Sequence, residues 1–415
     1  MRPAPFTIAD VADLLSIQRL KGGDENAFNV ECPFCGDMRG KCNFSVIKNG
    51  EVSNVFQCFN CGAQGNMLTL YADLMGIWGI DRYKEAYHQI KASMQFGQQE
   101  CRQRQNQLDE RAQQQKEKSV ESMDYHKRDQ VYRAMLKQLH LSELHRNDLR
   151  RRGQTESEIQ KMEERGYVST DPKNSTAIAR RLIKQGYDLE GVPGFFVNNS
   201  GDWEIAFYRK NNGYLCPVWS EEGLLTAFQI RLDPPNSKYI WLASTKFQRG
   251  CSSGCPVSLS GNPYAKRVYV TEGILKADIT HLRSGKTYLG NPGVGNSKDL
   301  KRMLQVLTKN GLEEVIEAFD MDKAMRLDCS RDYGDICSIC ELRNRDIVEC
   351  PKKRIKRDNI RKGCLKLYQI CEEIGLTCRR ALWDCDDEGM WLGNYKGCDD
   401  WEMKEDVLKL SEQAA

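Results

Sequence analysis

RVYVTEGILKADITHLRSGKTYLGNPGVGNSKDLKRMLQVLTKNGLEEVIEAFDMD, residues 267–322, carries three short runs of β character, RVYVTEG, TYLG and EVIEAFD, separated by two helical patterns. A fourth run, CRRALWD at 378–384, follows the helical pattern NIRKGCLKLYQICEEIG. Strands alternating with helices imply a mainly parallel sheet covered by helices. In such sheets, residues at the carboxyl ends of strands converge on one crevice. Glu272 ends the first run, and Asp320 and Asp322 end the third, where a period of two puts both aspartates on one side. Three carboxylates in one crevice call for cations, and Mg²⁺ or Mn²⁺ takes carboxylate oxygens while sharing its other positions with water and substrate phosphates. Acids at strand ends are common singly. The order E-G, L-G-N-P-G, F-D-M-D-K-A is far more specific.

Upstream the period changes. EIAFYR, GYLCPVW, LLTAFQIRL and KYIWLA, punctuated by Gly, Asn, Asp and Pro, read as a meander of strands over 191–266. Amphipathic patterns such as VYRAMLKQLHLSELHRNDLRRRG and TAIARRLIKQGY make 124–190 a helical region. A Gln-, Arg- and Glu-rich polar linker covers 93–123, and residues 1–92 form a cysteine-bearing unit bounded by the helical stretches IADVADLLSI and NMLTLYADLMGI.

Within that unit Cys32-Pro-Phe-Cys35 and Cys58-Phe-Asn-Cys61 are two C-x-x-C pairs, the spacing at which four thiolates surround one Zn²⁺ in a closed, structural site. Eighteen cysteines in a chain of 415 residues are not read as a disulfide scaffold, because no signal peptide or membrane span is evident and a cytoplasmic location is expected. The remaining cysteines are small buried side chains or further ligands. A net charge of +3 is too near neutral to imply nucleic acid by itself, so local clusters must carry that reading. A mean hydropathy of −0.62 with 29% charged residues fits globular pieces joined by a polar segment.

CPFC…CNFSV…VFQCFNCGAQGNMLTLY resembles the zinc-binding domain of bacterial replicative primases of the DnaG type, with Cys35 where that family usually has His. The order of acids from Glu272 to Asp322 resembles the Toprim domain that such primases share with topoisomerases and some nucleases. By this resemblance Glu272 assists proton transfer or metal binding, Asp320 and Asp322 hold Mg²⁺, and the Gly290 to Gly295 loop borders the site. Lys396-Gly-Cys-Asp-Asp400 is similar to the acidic element that completes such domains in phage and plasmid proteins, which adds Asp399 and Asp400 to the set and points to a mobile-element variant. FQIRLDPPNSKYIWLASTKFQRG is similar to the family's basic subdomain, whose cations fall here on Arg231, Lys238, Tyr239 and Arg249, with Lys276 beside the acids. On the zinc module Lys41, Lys48, Phe44 and Phe56 are candidates for phosphate and base contacts, although both aromatics also suit the interior of a small sheet.

The resemblance covers roughly 31–70 and 195–401. It implies an α/β multidomain chain: a zinc-ribbon-like N-terminal module, a helical linker region, a β-rich basic subdomain, a Toprim α/β domain at 267–403 and a tail at 404–415 forming a terminal helix. The Toprim pattern is interrupted by a Cys-rich insertion, 327–357, whose Cys329, Cys337, Cys340 and Cys350 suit a second Zn²⁺, an iron–sulfur cluster or no metal at all. Its basic run Lys352 to Arg357 is either an extension of a nucleic-acid surface or a solvated loop. The implied activity is RNA-primer synthesis from NTPs on single-stranded DNA. No Walker A sequence is present, so unwinding is expected of a separate replicative helicase. A Toprim nuclease and a non-catalytic, zinc-dependent single-strand-binding protein are the alternatives.

Overall fold

Alternating burial in CNFSVIK and EVSNVFQC sets the centre of the N-terminal unit, in which every second side chain faces inward. The structure is a computed structural model that describes residues 4–48, 50–79, 81–94, 104, 106–111, 113, 120–207, 212–234, 239–334, 337, 340 and 348–403. It divides into two units, 1–118 and 119–415.

The first unit runs α1 (Ile8–Leu14), β1 (Arg19–Gly23), β2 (Ala27–Val30), β3 (Cys42–Lys48), β4 (Glu51–Cys58), β5 (Gln64–Asn66), α2 (Met67–Met75) and α3 (Arg82–Met94). The strands pair in sequence order as one antiparallel sheet. Thr7 and Asp10 form a reciprocal capping box that starts α1, and its buried face of Ile8, Val11 and Ala12 closes the sheet. Asn66 caps α2 by accepting from the Leu68 and Thr69 amides. Helix α3 was not foreseen, since its apolar stripe is short and only Ala86 and Ile90 are buried.

In the second unit α4 (Tyr125–Leu136), α5 (Glu143–Arg151), α6 (Glu156–Arg165) and α7 (Ser175–Lys184) precede β6 (Phe195–Val197) and β7 (Trp203–Ile205), which pair as a hairpin. Strands β8 (Gly213–Trp219), β9 (Leu225–Leu232) and β10 (Tyr239–Trp241) follow as a three-stranded antiparallel sheet. Strands β8 and β9 are buried almost end to end, because helices α4 and α7 pack on one face and further apolar side chains on the other. The last part runs β11 (Ser258–Ser260), β12 (Arg267–Glu272), α8 (Ile274–Ser284), β13 (Tyr288–Asn291), α9 (Lys298–Lys309), β14 (Glu314–Glu317), α10 (Pro351–Ile374) and β15 (Thr377–Arg380).

These last strands make a sheet in the order β11-β13-β12-β14-β15, parallel except for the antiparallel edge strand β11. The chain leaves β12 for β13 on one side and later returns to β14 on the other, so the strand order reverses at β12 and opens a crevice at the carboxyl ends of β12 and β14. Helix α8 is enclosed on most sides. Ala277 meets the sheet cluster that includes Tyr288, while Ile274, Leu275 and Ile279 meet Cys216, Val218 and Ala227 of the three-stranded sheet. Its Asp278, fully buried, is held by the Arg165 guanidinium at 2.8 Å and the Tyr167 hydroxyl at 2.7 Å.

Two expectations are corrected. The basic run Lys352–Arg357 is not a loop: it forms the first turns of α10, which begins at Pro351, a residue suited to the first helical position. Asp320 and Asp322 do not share a strand face either, because β14 stops at Glu317 and the aspartates lie on a loop entering a 3-10 turn, Met321–Ala324. Lys238, most of the 93–123 linker, much of the insertion and the 404–415 tail with its expected helix lie outside the described residues. No helix among the described residues is long and apolar enough to cross a membrane.

Candidate zinc module and acidic crevice

Each C-x-x-C pair is followed by a glycine with positive φ, Gly36 at 66° and Gly62 at 73°, whose amide returns to the carbonyl of the first cysteine at 2.8 Å. This turn aims both thiols of a pair the same way. The four sulfurs of Cys32, Cys35, Cys58 and Cys61 lie within 4.8 Å of one another. Cys32 and Cys61 are 3.7 Å apart and Cys35 and Cys58 3.9 Å. A tetrahedral Zn²⁺ with bonds of ~2.3 Å needs sulfurs ~3.8 Å apart, so the donor set fits. The Cys61 amide and the Asn60 side chain point at the Cys58 and Cys35 sulfurs, contacts that favour thiolates. A fifth thiol, Cys42, is fully buried opposite Cys58 in the β3–β4 register but outside the four-sulfur group.

Phe44 and Phe56 are 0% and 2% exposed and pack with Phe28 and Phe34 at ring separations of 5.6–5.8 Å, so they belong to the core and not to a base-contacting surface. The reason is register. Phe56 lies two residues before Cys58 and shares its inward face. The aromatic presented beside the sulfurs is Phe59, 68% exposed inside the second knuckle, with the neighbouring Asn60 bonded to Arg39. Lys48 is exposed and Lys41 half-buried.

In the second unit Gly273 has φ +97°, a conformation that turns β12 directly into α8 and sets Glu272 at the crevice rim. Gly290 serves the same corner: a Cβ there would meet the Ile274 Cα at 2.9 Å. One helical turn on, Lys276 is bonded to Asp320. Lys396 reaches Asp322 at 3.1 Å and Asp320 at 3.6 Å, and Lys356 of α10 reaches Asp322 at 3.5 Å. The Lys396 carbonyl accepts the Met321 amide at 2.9 Å, which ties the K-G-C-D-D segment to the aspartate turn. Burial and the Asp320 charge hold the Glu272 carboxyl above its ordinary range. Burial would also raise Asp320, but Lys276 and Lys396 outweigh it and hold that carboxyl low. Asp399 is raised by burial, and its Oδ1 is buried without a partner. The Asn291 Oδ1, on the strand end paired with Glu272, is likewise orphaned. Asp400 is turned instead to the Gly397 amide at 3.1 Å.

Glu272, Asp320, Asp322 and Asp399 thus share one crevice. Ammonium groups provide the compensating charge, and among the described residues no three carboxylates lie at the close spacing of the four sulfurs. Hard oxygen donors with an orphaned buried carboxylate oxygen are the donor set Mg²⁺ or Mn²⁺ prefers. Cys329, Cys337, Cys340 and Cys350 form no comparable group among the described residues.

Of the expected groove cations, Arg231 pairs across strands with Tyr239 and lies 5.1 Å from its ring centroid. Burial pushes the Tyr239 hydroxyl up to about 12, with the Asp399 charge adding to the shift and Arg152 and Arg231 opposing it. Arg249 has other partners: Glu190, and the Trp203 ring at 5.4 Å. Lys356 and Lys396 are the crevice cations that motif reading did not assign to it.

Beneath the aspartates lies a fully buried ion pair. The Lys323 ammonium meets Glu317 at 2.7 Å with both side chains at 0% exposure, and Glu317 also accepts from the Phe319 amide and the Tyr368 hydroxyl at 2.9 Å. This clamps both ends of the turn that carries Asp320 and Asp322.

No family model matches the chain, and no curated protein matches it. Solved structures do. The zinc-binding and RNA polymerase domains of the Aquifex aeolicus primase align with 97% of this chain and 83% of that one, at 14% identity and a TM-score of 0.44. The RNA polymerase domain of Mycobacterium tuberculosis primase DnaG, in complex with a double-stranded DNA oligomer with a 6-nucleotide overhang, aligns over 61% and 81% at 16% identity and a TM-score of 0.39. A DnaG primase catalytic domain bound to ssDNA aligns over 59% and 83% at 14% identity and a TM-score of 0.31.

Proposed function

We propose that the chain is a primase of the DnaG type, which joins NTPs into short RNA on single-stranded DNA in the crevice at the β12 and β14 ends. The observation that carries this reading is the meeting of Glu272, Asp320, Asp322 and Asp399 with Lys276 and Lys396 at the point where the strand order reverses. Asp320, Asp322 and Asp399 would hold Mg²⁺ or Mn²⁺. The bound metal would supply Lewis-acid activation of the primer 3′-hydroxyl and charge neutralisation on the leaving pyrophosphate. Glu272, kept above the ordinary carboxylate range, suits a proton acceptor working closer to neutrality than a free glutamate. Arg231 and Tyr239 offer a guanidinium and an aromatic face beside the acids for phosphate and base. The N-terminal zinc, held by four thiolates with no open position, would fix a surface for template in which Phe59 is the exposed ring.

Purified protein with single-stranded DNA, NTPs and Mg²⁺ is expected to yield short RNA that disappears in Asp320→Ala. Equal synthesis by that variant would sink the assigned site. Loss of input DNA with no requirement for NTPs would favour a nuclease.

A further inference from the structure

We infer that Lys356 and Lys396 form the seat of the nucleotide's pyrophosphate moiety, so that helix α10, which leaves the Cys-rich insertion, brings a triphosphate-binding cation to the crevice. The inference rests on the nucleotidyl-transfer reading of that crevice and names the part of the substrate that two of its cations take.

Charge count comes first. Asp322 is 2% exposed and faces two ammonium groups, Lys396 at 3.1 Å and Lys356 at 3.5 Å, while Asp320 faces Lys276 and Lys396. Against these three lysines the crevice holds four acids, Glu272 and Asp399 among them, so the ammonium groups are paired as long as no cation takes the carboxylates. Once the aspartate oxygens turn to a divalent cation, Lys356 and Lys396 lose the partners they have here. Their side chains are 35% and 44% exposed, so both ammonium groups can turn to an anion without leaving the crevice. An ammonium on a flexible stem is a point-charge ligand for phosphate oxygens, and the β- and γ-phosphates are the anion expected beside metal-binding acids.

The second observation is how firmly α10 is held against the aspartate turn. Lys353, 1% exposed, donates to the carbonyls of Asp328 at 2.6 Å and Arg331 at 2.8 Å and lies 5.0 Å from the Tyr333 ring centroid. It therefore anchors the insertion on α10 and is not available to a ligand. The Arg361 guanidinium donates to the Lys323 carbonyl at 2.9 Å, inside the turn itself. Gly363 lets α10 approach the loop after β13 so closely that a Cβ would meet the Val294 Cβ at 2.5 Å. Arg354 is turned outward to Glu349 at 3.1 Å. Within the basic run, these contacts single out Lys356 as the cation directed at a crevice acid.

The test is calorimetric titration of the zinc-loaded, full-length protein with inorganic pyrophosphate in Mg²⁺. Lys356→Met is expected to bind about tenfold more weakly, the size of one charge-assisted contact. Lys356→Arg should stay near wild type, and Arg354→Met, which removes an equal charge from the same helix, should be unchanged. Pyrophosphate binding by Lys356→Met equal to wild type, or no binding by wild type, overturns the inference. If Lys356→Met lacks the wild-type thermal transition, Lys396→Met takes its place with the same outcomes. RNA synthesis judges the underlying reading separately. A wild type that makes primers while Lys356→Met binds normally defeats only this inference, and one that binds through Lys356 but makes no RNA defeats only the primase assignment.

Discussion

Glu272 and Asp320, two carboxylates in one crevice, are shifted in opposite directions, and the pH dependence of stability follows from the signs. A raised folded-state pKa means that the folded protein holds the Glu272 proton more tightly than the unfolded chain does. The associated stability is present below the unfolded value of about 4.3 and is lost as pH rises through the folded value. In buffer without divalent cations, Glu272→Gln is therefore expected to be more stable than wild type at pH 7 and nearly equal to it around pH 4, as read by urea unfolding. Asp320 runs the other way. Its contribution is present above about 3.9 and is lost as pH falls through its depressed value. The buried Lys323–Glu317 pair sets a third expectation. Lys323→Met would leave the buried Glu317 carboxylate with only the more distant Arg380 guanidinium, at 3.5 Å, as counter-charge and should cost up to about 3–5 kcal/mol, whereas Glu317→Gln with Lys323→Met should recover part of that loss. Equal unfolding midpoints for the two variants would refute the clamp.

At the scale of elements, what matters is how closely α10 and α8 approach the crevice. Gly363→Ala is expected to destabilise by about 1–3 kcal/mol, because the Val294 side chain and carbonyl are both in the way, and denaturant unfolding measures this directly. The same substitution should weaken pyrophosphate binding by displacing Lys356. Much at this scale was legible. The runs at 213–219, 225–232 and 267–272 became strands, and the alternation of strand and helix gave the parallel sheet. The exceptions have physical causes. Lys352–Arg357 reads as a solvated loop because its charges hide a helix whose buried face begins at Lys353, an amphipathic side chain counted as polar. A period of two also failed at Asp320 and Asp322, because the strand ended three residues before the first of them and a tight turn supplied the convergence.

The whole molecule consists of two units with different sources of stability. The N-terminal unit has a small sheet arranged around four thiols, and zinc binding should be part of its folding free energy. Cys58→Ser is expected to lose about one equivalent of zinc per chain, and the thermal trace should lose the transition of residues 1–118 while that of 119–415 stays in place. Zinc content unchanged in Cys58→Ser would refute the four-thiolate site. The second unit has apolar cores in which α8 is shared between two sheets, so removal of the N-terminal zinc should leave its unfolding in place.

Local spacing by itself determined the four-thiol cluster and the strand–helix order, because two-residue and helical periods and C-x-x-C turns act over only a few residues. It also placed Glu272 at a strand end, whereas Asp320 lies on the loop after β14. Only the tertiary structure decided which charges meet. Lys356 and Lys396 join Asp322 from distant parts of the chain, Phe44 and Phe56 turn inward because they share a face with the thiols, and Arg249 is taken up by Glu190. Those outcomes depend on long-range packing and on the cost of burying an unpaired charge, which no local pattern records.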